Sequence, residues 1–497
     1  MKSINRYFAI AITVMLIAPL SSFGQIALKT ETRQGSMLKL SNKELQELSK
    51  SIFLWGIHPI AVYHYRYNLA QKESSKYYAG INRMAWSKSP IRASEKGGTT
   101  PNASTMYGRM VIDLSEEPMV IIAPEIKDRY WSLQACDYIP EWWFLMGSQF
   151  NKPGVNKRLV MGPDYKGHIP KEFYAAELVY APSDVNIMIG RIAIMNEGDE
   201  EFEVLGNIAD QFTIVPLSVW EANGKKPVKS DDLPVTRGNY PVLDDMDRFE
   251  MVNQIKGVDF LRFMDLFVQD DSFTKYDNNY DQRMALENLK KIGIEKGKKF
   301  DYTKFTLEQV KAIEAGVDEG IKEALAFVQK QNPLDMNTWS VITSKPHITN
   351  VERAGYALLA LLSPTPLQSH AGAWGNVDSD RKPLDGHNKY TITFDLNNLP
   401  PVSEFWEIPV YDLEGYFYDN PINRYSVTSY MLNNGSLYTE NGKLVLYIQH
   451  EAPSDPNQKK NWIPVPKSGF RFAARFYGQG GSIIDASYNM PAVVKVE

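Results

Sequence analysis

The chain is poor in the residues that carry the most recognisable chemistry. Its 497 residues include one cysteine, Cys136, which excludes an intrachain disulfide and any paired-cysteine metal site. If the chain is exported, it must rely on its core alone. Cys136 lies in the strand-like stretch Leu133–Asp137, where a free cysteine reads as a small buried hydrophobe rather than a nucleophile. There is no long basic run and the formal net charge is −5, so nucleic acid is not an expected partner. No apolar run is long enough for a permanent bilayer span, so the mature chain is expected to have none. Gly-x-Ser-x-Gly, His-Glu-x-x-His and a Gly-rich phosphate loop between strand and helix are all missing. The seven histidines are scattered. Which cofactor, if any, the chain uses is left open by the sequence.

What is present points first to an address. Lys2 and Arg6 precede the apolar run Tyr7–Leu20, and small residues follow, which predicts a signal peptide cut after Gly24 and a periplasmic or secreted protein. A loose leader is expected over 25–40. The length suggests more than one core. Ser41-Asn42-Lys43-Glu44 is a capping box, followed by Leu45, Leu48 and Ile52 at helical spacing. That helix should end before His58-Pro59, because a residue preceding proline avoids the α region.

From about 105 to 220 the pattern is one of short strands with frequent turns. Candidates are Val111–Asp113, Met119–Ala123, Tyr130–Cys136, Arg158–Met161, Glu177–Tyr180 and Val185–Ile194. From 244 to 331 the period becomes helical. Phe260, Phe263, Met264 and Phe267 share a face, and a second capping box at Thr306–Gln309 opens a run that Asn332-Pro333 should close. From 388 onward alternation returns. Tyr390, Ile392 and Phe394 share one face. Phe470, Phe472, Ala474 and Phe476 share another, with Arg471 and Arg475 opposite. Asn441-Gly442 predicts a tight hairpin.

The expected fold is α+β and mostly β, with two antiparallel sandwiches. The expected divisions are an N-terminal helix plus β-rich domain over 41–243, a helical connector over 244–345 and a C-terminal sandwich over 346–497. The aromatic supply suits strands, and would also suit an aromatic-lined pocket.

Particular motifs carry a resemblance beyond these patterns. Thr100-Pro101-Asn102, Met106-Tyr107, Ile112-Asp113-Leu114-Ser115, Arg129-Tyr130, Gln134, Asp137, Gly162-Pro163 and Gly190-Arg191 resemble the domain of unknown function numbered 1254. Leu384–Tyr390, Phe405-Trp406, Tyr411-Asp412, Asp419-Asn420-Pro421, Asn423-Arg424-Tyr425, Ile448-Gln449, Asn461-Trp462 and Arg475-Phe476-Tyr477 resemble its partner, numbered 1214. The resemblance implies a bacterial protein with jelly-roll-like sandwiches and helical insertions, and no established reaction. The family usually has Asn-Asp after Pro-Asn, where this chain has Ala103-Ser104, so chemistry needing an acid there is in doubt.

Candidate site residues follow from side-chain chemistry within these motifs. Arg424 is a cation that can hold a carboxylate by two hydrogen bonds, and with His387 and Asp385 it forms the catalytic candidate set. Asn102, Tyr107, Arg129, Asp137, Trp406, Asn420, Asn423, Tyr425, Gln449 and Trp462 are the ligand-binding candidates. For each there is a structural alternative. Asn-Pro-x-Asn is turn chemistry, and Arg424 could pair with Asp412 or Asp419. A metal site from His370, Asp385 and His387 lacks a recognised spacing, and Ser369-His370 needs a fold-given geometry to act as nucleophile and base. The leading expectation is an exported enzyme using acid–base chemistry, hydrolytic or lyase-type, on a small, partly apolar or aromatic molecule in an inter-domain cleft. The alternatives are a non-catalytic binding protein for a small ligand or glycan, and an envelope assembly component. A homo-oligomer is compatible with all three.

Overall fold

A computed structural model describes residues 40–96, 99–139, 141–150, 156–249, 252–274, 280–330, 334–342, 349–360 and 369–496. The expected signal peptide, most of the leader and the Asn332-Pro333 helix stop lie outside the described residues. The strands of the first half are β1 (Ala85–Trp86), β2 (Thr105–Asp113), β3 (Met119–Ala123), β4 (Trp131–Cys136), β5 (Trp142–Gly147), β6 (Asn156–Met161), β7 (Leu178–Tyr180), β8 (Val185–Ala193) and β9 (Thr213–Pro216). They form two sheets, in the orders β1-β2-β8-β4-β5 and β7-β6-β3-β9. Met106, Met110, Ile112, Leu133 and Met188 of the first sheet pack against Met119, Ile121, Val160 and Ile214 of the second.

The second half continues with β10 (Leu334–Met336), β11 (Trp339–Ile342), β12 (His370–Gly375), β13 (Lys389–Asp395), β14 (Val402–Asp412), β15 (Ser426–Thr428) and β16 (Thr439–Glu440). It ends with β17 (Lys443–Gln449), β18 (Trp462–Pro464), β19 (Phe470–Gln479) and β20 (Val494–Val496). One sheet runs β10-β11-β12-β19-β14-β15. The other runs β16-β17-β13-β20, with β18 parallel to β17. The alternation read in the sequence is the packing. Tyr390, Ile392, Phe394, Leu444, Leu446 and Ile448 meet Phe470, Phe472, Ala474 and Phe476 in one core. The β16–β17 turn places Asn441 at φ 50 and Gly442 at φ 72, both left-handed, which is the tight hairpin geometry that Asn-Gly favours. The protein is thus a β-rich α+β fold, with four mostly antiparallel sheets among the described residues, none of them closed into a barrel.

Helix α1 spans Asn42–Ala70. Its capping box is formed as expected, Glu44 N donating to Ser41 Oγ at 3.2 Å and Ser41 N to Glu44 Oε2 at 2.8 Å. The expected stop at His58-Pro59 is wrong, since the helix runs through Pro59. Phe53, Ile57, Ile60 and Val62 are each at most 1% exposed, and burying such side chains outweighs the local restriction from proline and its missing hydrogen bond. Trp142–Gly147 and the helix α2 (Glu200–Ala209) were not foreseen as elements.

Helices α3 (Gly257–Gln269), α4 (Tyr280–Lys291), α5 (Leu307–Lys330) and α6 (Asn350–Ala360) pack with α1 in one layer. The segment expected as a connector therefore shares a core with the N-terminal helix. That core includes Val111, Cys136, Val185, Ile187 and Ile189 of the first sheet. The helices cover one end of the sheet's outer face. Tyr107 packs at the border of that core and also feels the charge of Arg475 from the second half.

α1 and α5 touch at a glycine. A Cβ on Gly316 would lie 2.2 Å from the Gln46 carbonyl oxygen. Alanine has the higher helix propensity by about 1 kcal/mol, yet Gly316→Ala should destabilise by roughly 1–3 kcal/mol, because the backbones must separate. Chemical denaturation of the two proteins decides the sign.

Candidate functional site

Strand pleating sets the outward residues of each half. Tyr107 on β2 lies opposite Arg191 on β8, and Arg191 opposite Ser132 on β4, so one row of polar groups crosses the outer face of the first sheet. In the second half, His370, Tyr477 and Phe405 form one row across β12, β19 and β14. Arg475 and Glu407 are paired in a neighbouring row. The two faces oppose each other. Tyr130 packs on Tyr477 at 4.8 Å and on Phe405 at 5.6 Å between ring centroids.

The polar groups at this interface are densely bonded. Arg191 Nη1 donates to Gln134 Oε1 at 2.6 Å, and Ser369 Oγ donates to the same oxygen at 3.0 Å. Glu407 is 0% exposed. It accepts from Arg475 Nη1 at 3.1 Å and forms a short hydrogen bond with Ser104 Oγ from the first half. Arg475 Nη2 donates to Thr100 O at 2.8 Å. Asn102 Nδ2 donates to the Tyr477 hydroxyl at 2.6 Å, and Tyr411 donates to Pro101 O at 2.6 Å. Buried charges need such pairing.

Burial opposes ionisation of Tyr107, but the guanidinium charges of Arg191 and then Arg475 outweigh it and hold the phenol below its usual pKa. Tyr477 goes the other way, raised by burial and by Glu407. Burial, then the same two arginines, push His370 well below the usual imidazole range, so it is neutral. The cluster thus sets a phenol whose ionisation two guanidinium groups favour beside neutral and cationic side chains, an arrangement suited to moving a proton.

A cleft of about 230 Å³ opens between the halves, bounded by Ser104, Met195, Glu197, Asn423, Arg424 and Ser426. Ser104 and Ser426 both reach Glu407, so the floor of the cleft touches the buried carboxylate.

The sequence candidates divide between the interface and elsewhere. Tyr107 and Asn102 stand in the interface cluster. Asn423 and Tyr425 line the cleft, the latter accepting from Ala93 N at 3.2 Å. Arg424 is at the mouth. Its Nε and Nη2 bond Glu197 at 2.7 and 2.8 Å, and its Nη1 reaches Lys460 O and Trp462 O. Its partner is Glu197 from the other half, in place of the Asp412 or Asp419 considered above.

The remaining candidates hold structure. Asn420 bonds Tyr418 O, Arg424 O and Arg424 N within its own turn. Gln449 donates to Glu451 O, and Trp462 Nε1 to Gln449 O. Arg129 pairs with Glu201, tying α2 to the sheet. Trp406 is core, stacked on Phe394 at 5.3 Å. His387 Nδ1 lies 2.7 Å from Asp385 Oδ1 in an exposed turn, sharing no partner with Arg424. Among the described residues no group of three or more His, Cys, Asp or Glu is placed to hold a metal. Ser369 Oγ does lie 3.2 Å from His370 Nδ1.

Arg191, Gln134, Glu407 and Arg475 were missed as site residues. The available signal was a charged side chain inside an otherwise apolar strand, as in Val185–Ala193.

Residues 81–216 match the family model described as Protein of unknown function (DUF1254), and residues 370–480 that described as Protein of unknown function (DUF1214). The VPA0106 protein from Vibrio parahaemolyticus has a similar crystal structure. Its TM-score is 0.63 at 20% identity, over 91% of this chain and all of that one, a likeness of fold alone. An uncharacterized protein from Burkholderia cenocepacia aligns over 91% of this chain and 94% of its own, at TM-score 0.38 and 9% identity. No curated protein matches the chain. Among the described residues no helix is long and apolar enough to cross a membrane.

Two outcomes are expected. Arg424→Ala removes an ion pair and two carbonyl contacts, and should cost about 1–3 kcal/mol. Glu197→Ala loses only a partly exposed pair and should cost under about 1 kcal/mol. Urea midpoints measure both.

Asp137 gives a pH signature. Its Oδ1 accepts from Ile139 N and Glu141 N, both at 2.9 Å, yet burial lifts its pKa from 3.8 to about 7. Between those values the folded state holds the proton more tightly than the unfolded one, so this contribution to stability falls as pH rises through the window. Asp137→Asn should flatten stability across that range and add at most about 4 kcal/mol above it, read from denaturation midpoints at several pH values.

Proposed function

We propose that this chain, whose two halves match the DUF1254 and DUF1214 families, is an exported enzyme. It uses acid–base chemistry on a small, partly aromatic molecule held between its two β-rich halves. The observation that carries this reading is the Tyr107 phenol, paired across the sheet with Arg191, where the charges of Arg191 and Arg475 favour its ionisation against the cost of burial. Such a phenol exchanges a proton nearer neutral pH than an ordinary tyrosine. The neutral His370 and the hydroxyl of Tyr477 supply further polar groups beside it, backed by the buried, mutually packed rings of Tyr130, Phe405 and Tyr477. The cleft lined by Ser104 and Ser426 meets the cluster at Glu407, which both serines reach. Export follows from the charged start and apolar run of the first 24 residues, with cleavage after Gly24.

Tyr107→Phe tests the reading, since it keeps the ring and removes the proton. Titrating the tyrosinate absorbance should show one phenol ionising before the rest. That early step should vanish in Tyr107→Phe and move to higher pH in Arg191→Gln. On a panel of aryl esters and aromatic hydroxy acids, turnover by the wild-type protein should fall roughly 100- to 10,000-fold in Tyr107→Phe. A titration identical in the two proteins would overturn the assignment.

A further inference from the structure

Arg424 and Glu197 meet across the mouth of the cleft, and they are held unequally. The Arg424 side chain is only 10% exposed. Its Nη1 donates to Lys460 O at 2.7 Å and to Trp462 O at 3.2 Å. Its backbone is pinned by the Asn420 side chain in the same turn. The guanidinium therefore keeps its place whatever stands opposite. Its other edge, Nε and Nη2, presents two parallel donors, which match the two oxygens of a carboxylate. Glu197, by contrast, is 51% exposed, and among the described residues its carboxylate bonds no group but Arg424. It lies in the short link between β8 and α2. The next residue, Gly198, has φ 105, and nothing stands within 4 Å of where a Cβ would be. Rotation of the Glu197 side chain alone would free the fork, at the small cost of a half-exposed ion pair.

Beside the fork there is room for a molecule. The cleft encloses about 230 Å³, and an apolar cavity of about 150 Å³ already admits benzene. Ile91, Ala103, Ile194, Met195 and Phe202 give it an apolar lining, with the Ser104 and Ser426 hydroxyls at its floor. Arg92, the other cation on its wall, is paired with Asp199 at 2.9 Å.

We infer that Glu197 is an internal stand-in for the carboxylate of a small acid with an apolar body. Such an acid displaces Glu197 from Arg424 and lays its body in the cleft. This goes beyond the proposed function, since it gives the class of molecule the cleft accepts and the contact that must open to admit it. It uses the same cleft as that reading and requires no proton transfer.

Phenylacetate is the probe, with its neutral amide phenylacetamide as the control, titrated calorimetrically into the full-length protein. Phenylacetate should bind about tenfold or more tightly than the amide, because only the acid matches the fork. Glu197→Ala removes the competitor, so it should tighten phenylacetate binding roughly two- to fivefold and leave the amide unchanged. Arg424→Gln should weaken phenylacetate binding about tenfold or more. Should that variant fail to fold, Arg424→Lys keeps the charge without the fork and should still lose several-fold. Tyr107 does not line the cleft, so Tyr107→Phe should bind phenylacetate within about threefold of the wild type, which separates failure of the acid–base reading from failure of this one. A pair that only ties the two halves together predicts no gain in Glu197→Ala. No binding of phenylacetate, equal affinity for acid and amide, unchanged or weaker binding in Glu197→Ala, or full affinity in the Arg424 variants would each overturn the inference.

Discussion

The two halves of this protein converge on one buried carboxylate. Glu407 comes from the second sandwich, takes a hydrogen bond from Ser104 of the first, and anchors Arg475. Arg475 in turn bonds the Thr100 carbonyl. At 0% exposure, this carboxylate depends on these donors, so the positions of strands in both halves are tied to a single point. The conformation of the Thr100–Ser104 segment follows from that constraint, with the Asn102 side chain accepting from Ser104 N and donating to the Tyr477 hydroxyl. The resemblance left Ser104 as a departure lacking an acid. In this fold the carboxylate at that spot is supplied by Glu407, and a second acid at 104 would stand directly against it.

Much of the architecture was legible because it rests on short-range rules. The capping boxes at Ser41 and Thr306, the Asn441-Gly442 hairpin and the alternation along Phe470–Phe476 each involve residues a few positions apart, and each formed as read. The errors came where distant packing decides. Pro59 should have ended a helix by local sterics, but the helix is enclosed by α3, α5 and α6 on a face no local pattern reveals. Trp142–Gly147, unforeseen as an element, proved to be a strand.

The site was legible only in part. Tyr107 and Asn102 were picked from chemistry inside motifs, and Asn423 and Tyr425 do border the cleft. Arg424 looked like a ligand cation because its side chain is suited to one, and only the fold shows that Glu197 already occupies it. Arg191 and Arg475 were visible as charges in apolar strands. Their partnership with Tyr107 was not, since it depends on two sheets meeting face to face, which no alternation within one strand encodes.

The wide spacing of the interface along the chain has a consequence in time. Tyr477 is synthesised about 370 residues after Tyr107, which at typical elongation rates is roughly 20–70 s later. Throughout that interval the first sandwich lacks the partner that shields Arg191 and the edge of Tyr130. Its half-covered face is the surface a chaperone would have to guard until the last long strand, Phe470–Gln479, is complete.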